Sequence, residues 1–414
     1  MTIKSKNVFN KNVLTVLTGI SLSQIFPIII SPLLTRLYKP EDFGFLTMYL
    51  LGVTVLTTIA TGKYENSLYL PKKKKTVARL ADLSFKLSVF FSCILMILII
   101  IFGDILWGYF EISNSIYLLY ILPFSVFLSS QVVILTQLSI KFSEYKKLSV
   151  GRVYQSLTDS CTSLVLGSLG YFFSGLTLVL SNILGQILIF LNLYKVKGTL
   201  LKHYRFNNID RYIIAKKYIK FPLFMIPSGL INVVSANMPT IVLTTTLGLN
   251  YVGFYSLLQR TLNTPSGILG NSFSEVFKQQ AAEDLKIYGD CRLLFKRTVL
   301  KLFIISIIPF TILFIYSPQI FELVFGEQWR ISGEMAQILV PMFFIRFITM
   351  PVSSIILLKN KTEIDFIWQL LFLVVSIGAF GFQSSITNMM IYFSFAFSLM
   401  YLISFFINYK LSKD

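Results

Sequence analysis

The sequence predicts an all-α membrane protein that crosses the bilayer many times, and three observations carry that prediction. First, 55% of the 414 residues are hydrophobic, 15% are aromatic and only 14% are charged. A water-soluble fold could not cover that much apolar surface. Second, the apolar residues gather in runs close to the roughly 20 residues a helix needs to span hydrocarbon. Third, the basic residues occupy alternate gaps between those runs. All 37 do so except Arg36, Lys39, Arg260, Arg330 and Arg346. Short loops rich in Lys and Arg are retained on the cytoplasmic side, so the alternation gives orientation as well as number. The formal charge of +18 is thereby spread over loops beside the membrane. That pattern fits anionic lipid headgroups and not nucleic acid.

The runs lie near 10–34, 44–62, 83–102, 115–138, 150–170, 174–194, 220–246, 253–275, 298–316, 335–357, 364–381 and 386–407. They make twelve transmembrane helices, with N- and C-termini cytoplasmic. The first run follows Lys4 and Lys6, yet it is too long for a signal-peptide core and lacks a small-residue cleavage site. It reads as a retained helix. The second gap holds the run Lys72 to Lys75 with Arg79 and Lys86, an orientation anchor. The sixth holds Lys195, Lys197, Lys202, Arg205, Arg211, Lys216, Lys217 and Lys220. The third carries Asp104 and Glu111 with no basic residue.

The sixth gap divides the chain into an N-terminal six-helix bundle, 1–205, and a C-terminal one, 206–414. The halves echo each other. The second span opens Gly44-Phe45-Leu46-Thr47 and the eighth opens Gly253-Phe254-Tyr255-Ser256. Six plus six spans, both sets starting in the cytoplasm, imply parallel repeats about an axis along the membrane normal. Most prolines lie in or beside spans, where they bend helices and free carbonyls that protein or water must satisfy.

Catalytic signatures are missing from the sequence. Cys93, Cys161 and Cys291 form no disulfide framework, and His203 is the only histidine. No phosphate-binding Gly-rich loop or paired-cysteine metal signature occurs. The longest outer loop, near 317–334, is too short for a catalytic domain. The sequence therefore points away from an enzyme and from a resident metal or cofactor.

Polar residues inside the spans are the candidates for function. On the eighth span Ser256, Arg260, Asn263, Gly267, Gly270 or Asn271, and Ser274 share a helix face. Arg260 sits about 10 Å from the outer end at 1.5 Å per residue. Burying it costs about 2.5–3.5 kcal/mol on insertion scales. Such a stripe is expected to line water or a ligand, although Ser, Thr and Gly also serve helix–helix packing. Facing partners are Ser228, Asn232, Ser235 and Pro239 on the seventh span. The first span offers Ser23 or Gln24, Pro27, Ser31, Thr35 and Arg36, and the fifth Gln155, Asp159 and Thr162. Arg346 is a second deep arginine. Asp159 is the candidate for proton or sodium coupling; pairing with Arg152 or with a cavity arginine is the alternative. Glu65 and Glu275, at span ends, are expected to be solvated, and Lys39 and Arg330 to be surface charges. Because the deep charges are mainly positive, the cargo is expected to be anionic.

The segment from Gln24 through Pro71 resembles the Wzx-type polysaccharide flippases of the multidrug/oligosaccharidyl-lipid/polysaccharide exporter superfamily. The run Ser31-Pro32-Leu33-Leu34-Thr35-Arg36-Leu37-Tyr38-Lys39-Pro40-Glu41-Asp42-Phe43-Gly44 is similar to that family's turn after its first helix, and Lys63-Tyr64-Glu65 and Leu70-Pro71 also fit. A second match runs from Phe221-Pro222 through Pro227-Ser228 to Gly253-Phe254-Tyr255 and Gln259-Arg260, ending near Glu283. The resemblance implies two six-helix bundles around a cavity that opens alternately to each side. The implied cargo is an undecaprenyl-pyrophosphate-linked oligosaccharide, flipped across the bacterial cytoplasmic (inner) membrane for O-antigen (lipopolysaccharide) or capsule synthesis. Arg260, Arg36 and Arg346 would attract the pyrophosphate, and Asn263, Asn232 and Ser256 would meet the sugar. Membrane lipids and a polysaccharide polymerase are the implied partners. Two rivals remain: a multidrug exporter of the same fold, which would want acids in its cavity, and a membrane glycan polymerase or ligase, which would need a sizeable outer loop.

Overall fold

A computed structural model of the chain describes residues 3–110, 116–170, 174–201, 206–359, 362–381 and 385–413. Regular structure among them is entirely helical. The first unit contains most of α1 (Ile3–Leu37), then α2 (Pro40–Ala60), α3 (Lys74–Phe110), α4 (Ile116–Lys141), α5 (Tyr145–Ser168) and α6 (Ser174–Leu201). It also contains α7 (Asn208–Lys217) and most of α8 (Lys220–Ala236); the second unit contains α9 (Met238–Leu247), α10 (Leu249–Tyr288), α11 (Arg292–Phe325), α12 (Arg330–Thr349), α13 (Ile355–Leu358), α14 (Thr362–Gly381) and α15 (Ile386–Leu411).

Each apolar run falls on helix. Seven described helices are long and apolar enough to cross a membrane, or eight if the bent pair α7–α8 counts as one span. Two runs expected to be continuous are broken. The seventh divides at Asn237, where Pro239 opens α9. The tenth ends as α-helix at Thr349 and continues through a 3₁₀ turn, Met350–Val352, to α13. Pro351 has no N–H to donate back along the helix, so α-helical hydrogen bonding is interrupted there.

Two compact units result: residues up to Ile30 with Phe45–Val233, and Ser31–Gly44 with Val234–Asp414. This departs from the expected division at 205/206. The boundary falls within α8, and the turn between α1 and α2 packs with the second unit. The reason is a backbone-to-backbone approach. A Cβ on Gly44 would lie 1.9 Å from the Leu249 carbonyl oxygen, and one on Gly253 1.7 Å from the Pro40 carbonyl oxygen. Only glycine permits either contact. Beside it the Trp329 ring, fully buried, meets Phe43 at 5.3 Å and Phe254 at 5.9 Å, both edge-on. The Thr35 carbonyl accepts hydrogen bonds from Trp329 Nε1 at 3.0 Å and Gln328 Nε2 at 2.9 Å.

The first unit's core gathers Tyr64 and Leu68 of a 3₁₀ turn after α2 with Leu80 of α3 and Leu135 and Leu138 of α4. The second unit buries Phe277 of α10 against Phe295 of α11, Val352 and Ile355. Outside these cores, large apolar side chains such as Ile97, Ile100 and Ile101 on α3 and Ile304 and Ile308 on α11 stay exposed. That is expected where lipid is the solvent.

Candidate functional site

The second unit holds a cavity of about 640 Å³. Its long wall is α10: Asn263, Gly267, Gly270, Asn271, Ser274 and Lys278 all face it. From Asn263 to Lys278 that wall runs about 22 Å at 1.5 Å per residue. Small residues make the space, because Gly267 has no neighbouring atom within 4 Å of where a Cβ would stand. The opposite wall is Arg346 with the broken segment that follows it, Thr349 through Ser354. Interrupted helix at membrane depth is tolerated where it lines a cavity. The Ser354 hydroxyl there is buried without a hydrogen-bond partner.

Arg346 is held on α12 with its guanidinium 6.0 Å from the Phe343 ring centroid. Its Nη1 donates to Asn263 Oδ1 at 2.9 Å. Asn263 in turn donates to Gln259, and Gln259 to the hydroxyl of buried Tyr255. This relay fixes the Asn263 amide with its oxygen toward the arginine. Arg346 and Lys278 are both cationic, and no carboxylate appears among the described residues of the lining. Much of the wall is apolar, from Phe343, Phe347, Ile356, Trp368 and Tyr401, so the cavity combines two cations, hydroxyls and amides with an apolar surface, which suits an anion carrying both hydroxyl and apolar parts.

The first unit has two smaller cavities, about 520 and 330 Å³, that share Thr136, Arg152 and Gln155. The larger is lined by Ser23, Gln24 and Pro27 of α1 and by Ser156 and Asp159 of α5; the smaller adds Ser129, Gln137 and Gln186. Ser156 donates to the Ser23 carbonyl and pins the two helices together. Gln24 Oε1 and Thr136 Oγ1 are buried there without partners. Asp159 stands close to Gly185 of α6, where an added Cβ would lie 3.3 Å from its own.

The family described as "Polysaccharide biosynthesis protein" matches residues 33–333, most of the chain and parts of both units. The chain belongs to this family. Solved structures of similar fold include a lipid II flippase, MurJ, in an inward closed conformation, with a TM-score of 0.71 at 14% identity over 98% of this chain and 90% of that one. A MOP superfamily transporter from Pyrococcus furiosus gives 0.63 at 13% identity over 98% and 97%. An outward-facing multidrug resistance MATE family transporter gives the same values. No protein of curated function matches the sequence. The family is that of polysaccharide biosynthesis proteins and the fold is one that solved MOP transporters share, in keeping with the expectation that the chain is not an enzyme.

In this family member the structure brings together some of the residues singled out from sequence. Asn263 and Arg346 are bonded, and the inner part of the α10 stripe, Gly267 to Ser274, lines the same cavity. Its outer part does not: Ser256 donates to the Gly253 carbonyl at 2.8 Å, and Arg260 is half-buried one turn before Asn263, outside the lining. Arg36 is exposed at the end of α1, and Asn232 is exposed on α8 of the first unit. Asp159 lines the first unit's cavity together with the expected first-span residues Ser23, Gln24 and Pro27. Arg330 is exposed and pairs with Glu322 at 2.6 Å, as a surface charge should.

Two cavity cations fall outside the sequence-derived candidates: Lys278, and Arg152, which entered only as a pairing partner for Asp159. Lys278 extends the stripe by one more i, i+4 step beyond Ser274, so its signal was present. Arg152 lies two turns into α5 and was counted with the loop charges. Glu65 needs a correction: it is not solvated but 1% exposed, and its Oε2 is buried without a partner. Burial pushes its carboxyl above the usual range, opposed by its own backbone amide, Lys63 and Thr61. The turn carrying it folds against α3 and α4, which removes it from water. His203 and Glu111 lie outside the described residues, as does the side chain of Glu275.

Proposed function

We propose that the chain is a membrane transporter that flips an undecaprenyl-pyrophosphate-linked oligosaccharide across the bacterial cytoplasmic membrane by alternating access, for surface polysaccharide synthesis. In this reading the chain crosses the membrane twelve times with both ends cytoplasmic. The observation that carries it is the second unit's cavity, which combines Arg346 and Lys278 with hydroxyls and amides and has no carboxylate among its described lining. The pyrophosphate would meet the two cations, the sugars would meet Asn263, Asn271 and the serines, and the lipid tail would stay in the bilayer. A volume of about 640 Å³ holds a headgroup and not a long polyprenyl chain. The MurJ structure, whose name makes it a lipid II flippase, supports this reading by its fold.

A strain lacking this protein is expected to lose surface polysaccharide while lipid-linked repeat units remain facing the cytoplasm. Replacing both Arg346 and Lys278 by Ala should give the same phenotype at normal protein level. Units accumulating on the outer face would point to a polymerase instead. Export unchanged in the double variant would remove the cationic cavity from the mechanism.

One observation favours a multidrug exporter: Asp159 places a carboxylate in the first unit's cavity. The same residue serves our reading as the coupling site for a proton or sodium ion. Asp159→Asn should abolish ion-driven export in the flippase reading. Loss of cationic-dye efflux, with polysaccharide unaffected, would select the exporter.

A further inference from the structure

Helix α7 is set apart from the spans on either side of it. It has only 10 residues, too few to cross hydrocarbon, and α8 leaves it at a bend of 65°. If α8 runs near the membrane normal, α7 lies closer to the membrane plane. One face of α7 is clamped to α3. Asp210 pairs with Arg79 at 2.7 Å, Arg211 with Asp82 at 2.7 Å, and Ile214 is buried between them. The Asp210 carboxylate also accepts the Asn207 backbone amide, which starts the helix. The opposite face is apolar and uncovered. Ile209, Tyr212 and Ile213 are 71%, 68% and 56% exposed at i, i+3 and i+4.

Around that face Asp210 and Asp82 are neutralised by Arg79 and Arg211, and the charge left over is positive. Lys216 and Lys217 are exposed at its end, and Lys220 follows. The clamp also brings in α3, whose start is the exposed run Lys72 to Lys75, the first two residues just ahead of the helix and the last two in its first turn. Lys141 donates to the carbonyls of Tyr69 and Pro71 at 2.9 and 3.1 Å, fixing the chain from which that run starts. An apolar strip of three residues flanked by lysines fits the boundary between acyl chains and anionic headgroups.

We propose that α7 is an interfacial helix: Ile209, Tyr212 and Ile213 enter the headgroup region, while Lys72 to Lys75, Lys216 and Lys217 bind anionic phospholipid. The two ion pairs to α3 hold the helix at the depth where both contacts form. This inference rests on the chain being membrane-embedded and is independent of its cargo.

The test uses full-length protein with Cys93, Cys161 and Cys291 replaced, a single cysteine at Tyr212 carrying an environment-sensitive fluorophore, and nanodiscs of phosphatidylcholine with or without phosphatidylglycerol. Tyr212 is exposed, so the label should not disturb folding. Nitroxide lipids labelled near the headgroup should quench it several-fold more than the same label at Tyr288, an exposed position on the loop end of α10. Glutamine at Lys72 to Lys75, Lys216 and Lys217 should reduce phosphatidylglycerol retained in native mass spectrometry at least about threefold. Equal quenching at Tyr212 and Tyr288 would overturn the proposal. So would unchanged lipid retention in the glutamine variant, or protection of Tyr212 in cell membranes but not in nanodiscs, which would assign the face to a protein partner.

Discussion

The contact between the starts of α2 and α10 gives the sharpest prediction, because it depends on backbone and not on rotamers. An Ala at position 253 would put its Cβ 1.7 Å from the Pro40 carbonyl oxygen, 2.5 Å from its carbon and 3.0 Å from its Cα. Ordinary contact begins near 3.4 Å, so the two segments must part by about 1.7 Å, and no flexible side chain can absorb it. Overpacking of this kind costs about 1–3 kcal/mol. Separation would also loosen Trp329 from Phe43 and Phe254, two edge-on pairs worth about 0.5–1.5 kcal/mol each. The expected loss for Gly253→Ala is therefore roughly 2–6 kcal/mol. The internal control is Gly267→Ala on the same helix, where nothing lies within 4 Å. Helix propensity alone favours that change by about 1 kcal/mol. Thermal unfolding in detergent, read through Trp329 fluorescence with the other tryptophans replaced, should show an earlier transition and red-shifted emission for Gly253→Ala only. Matching transitions for both variants would refute the close approach and, with it, the packing of the α1–α2 turn on the second unit.

Three further outcomes are expected. Glu65 has a carboxyl raised by burial, so its contribution is present below the ordinary carboxylate range near 4.3 and is lost as pH rises through the raised value; Glu65→Gln should flatten that part of the stability–pH curve and raise Tm at neutral pH relative to wild type. Trp329→Phe keeps part of the aromatic packing, leaves a cavity in a fully buried site and removes the donor to the Thr35 carbonyl, which still receives Gln328; unfolding should show a loss of about 1–3 kcal/mol, against roughly 3–5 for Trp329→Ala. Gly267→Leu would project a side chain into the open cavity and should reduce polysaccharide export while leaving Tm within a few degrees of wild type, and a large Tm loss would show the position to be packed.

The fold was legible because membrane helices declare themselves one at a time. Each must satisfy its own backbone in lipid, so an apolar run of sufficient length is already an element. The breaks at Asn237 and Thr349 were harder to see. Pro239 and Pro351 mark them, yet proline in a membrane span can kink a helix without ending it. The echo between Gly44-Phe45 and Gly253-Phe254 read as a repeat, and sequence alone could not say that the two copies touch. Glu65 looked solvated because it ends a span, and only the folding of its turn onto α3 and α4 buries it.

The candidate site follows a sharper rule. On α10 the periodic stripe was visible, but its outer and inner parts differ in structure for a reason that period cannot express. Near Gly253 the small residues serve close packing: Gly44 and Gly253 leave no room, and Ser256 turns back onto its own helix. From Asn263 onward the same residue types line the cavity: Gly267 has nothing within 4 Å of an added Cβ, and Gly270 meets only Pro351 of the broken segment, at 3.8 Å. The same small residues serve packing at Gly253, against the Pro40 backbone, and leave open space at Gly267. The cations that line this cavity are Arg346, one turn before the break, and Lys278 on α10. Arg152 joins them on separate grounds, since it stands between two cavities whose walls hold buried amide and hydroxyl oxygens without partners.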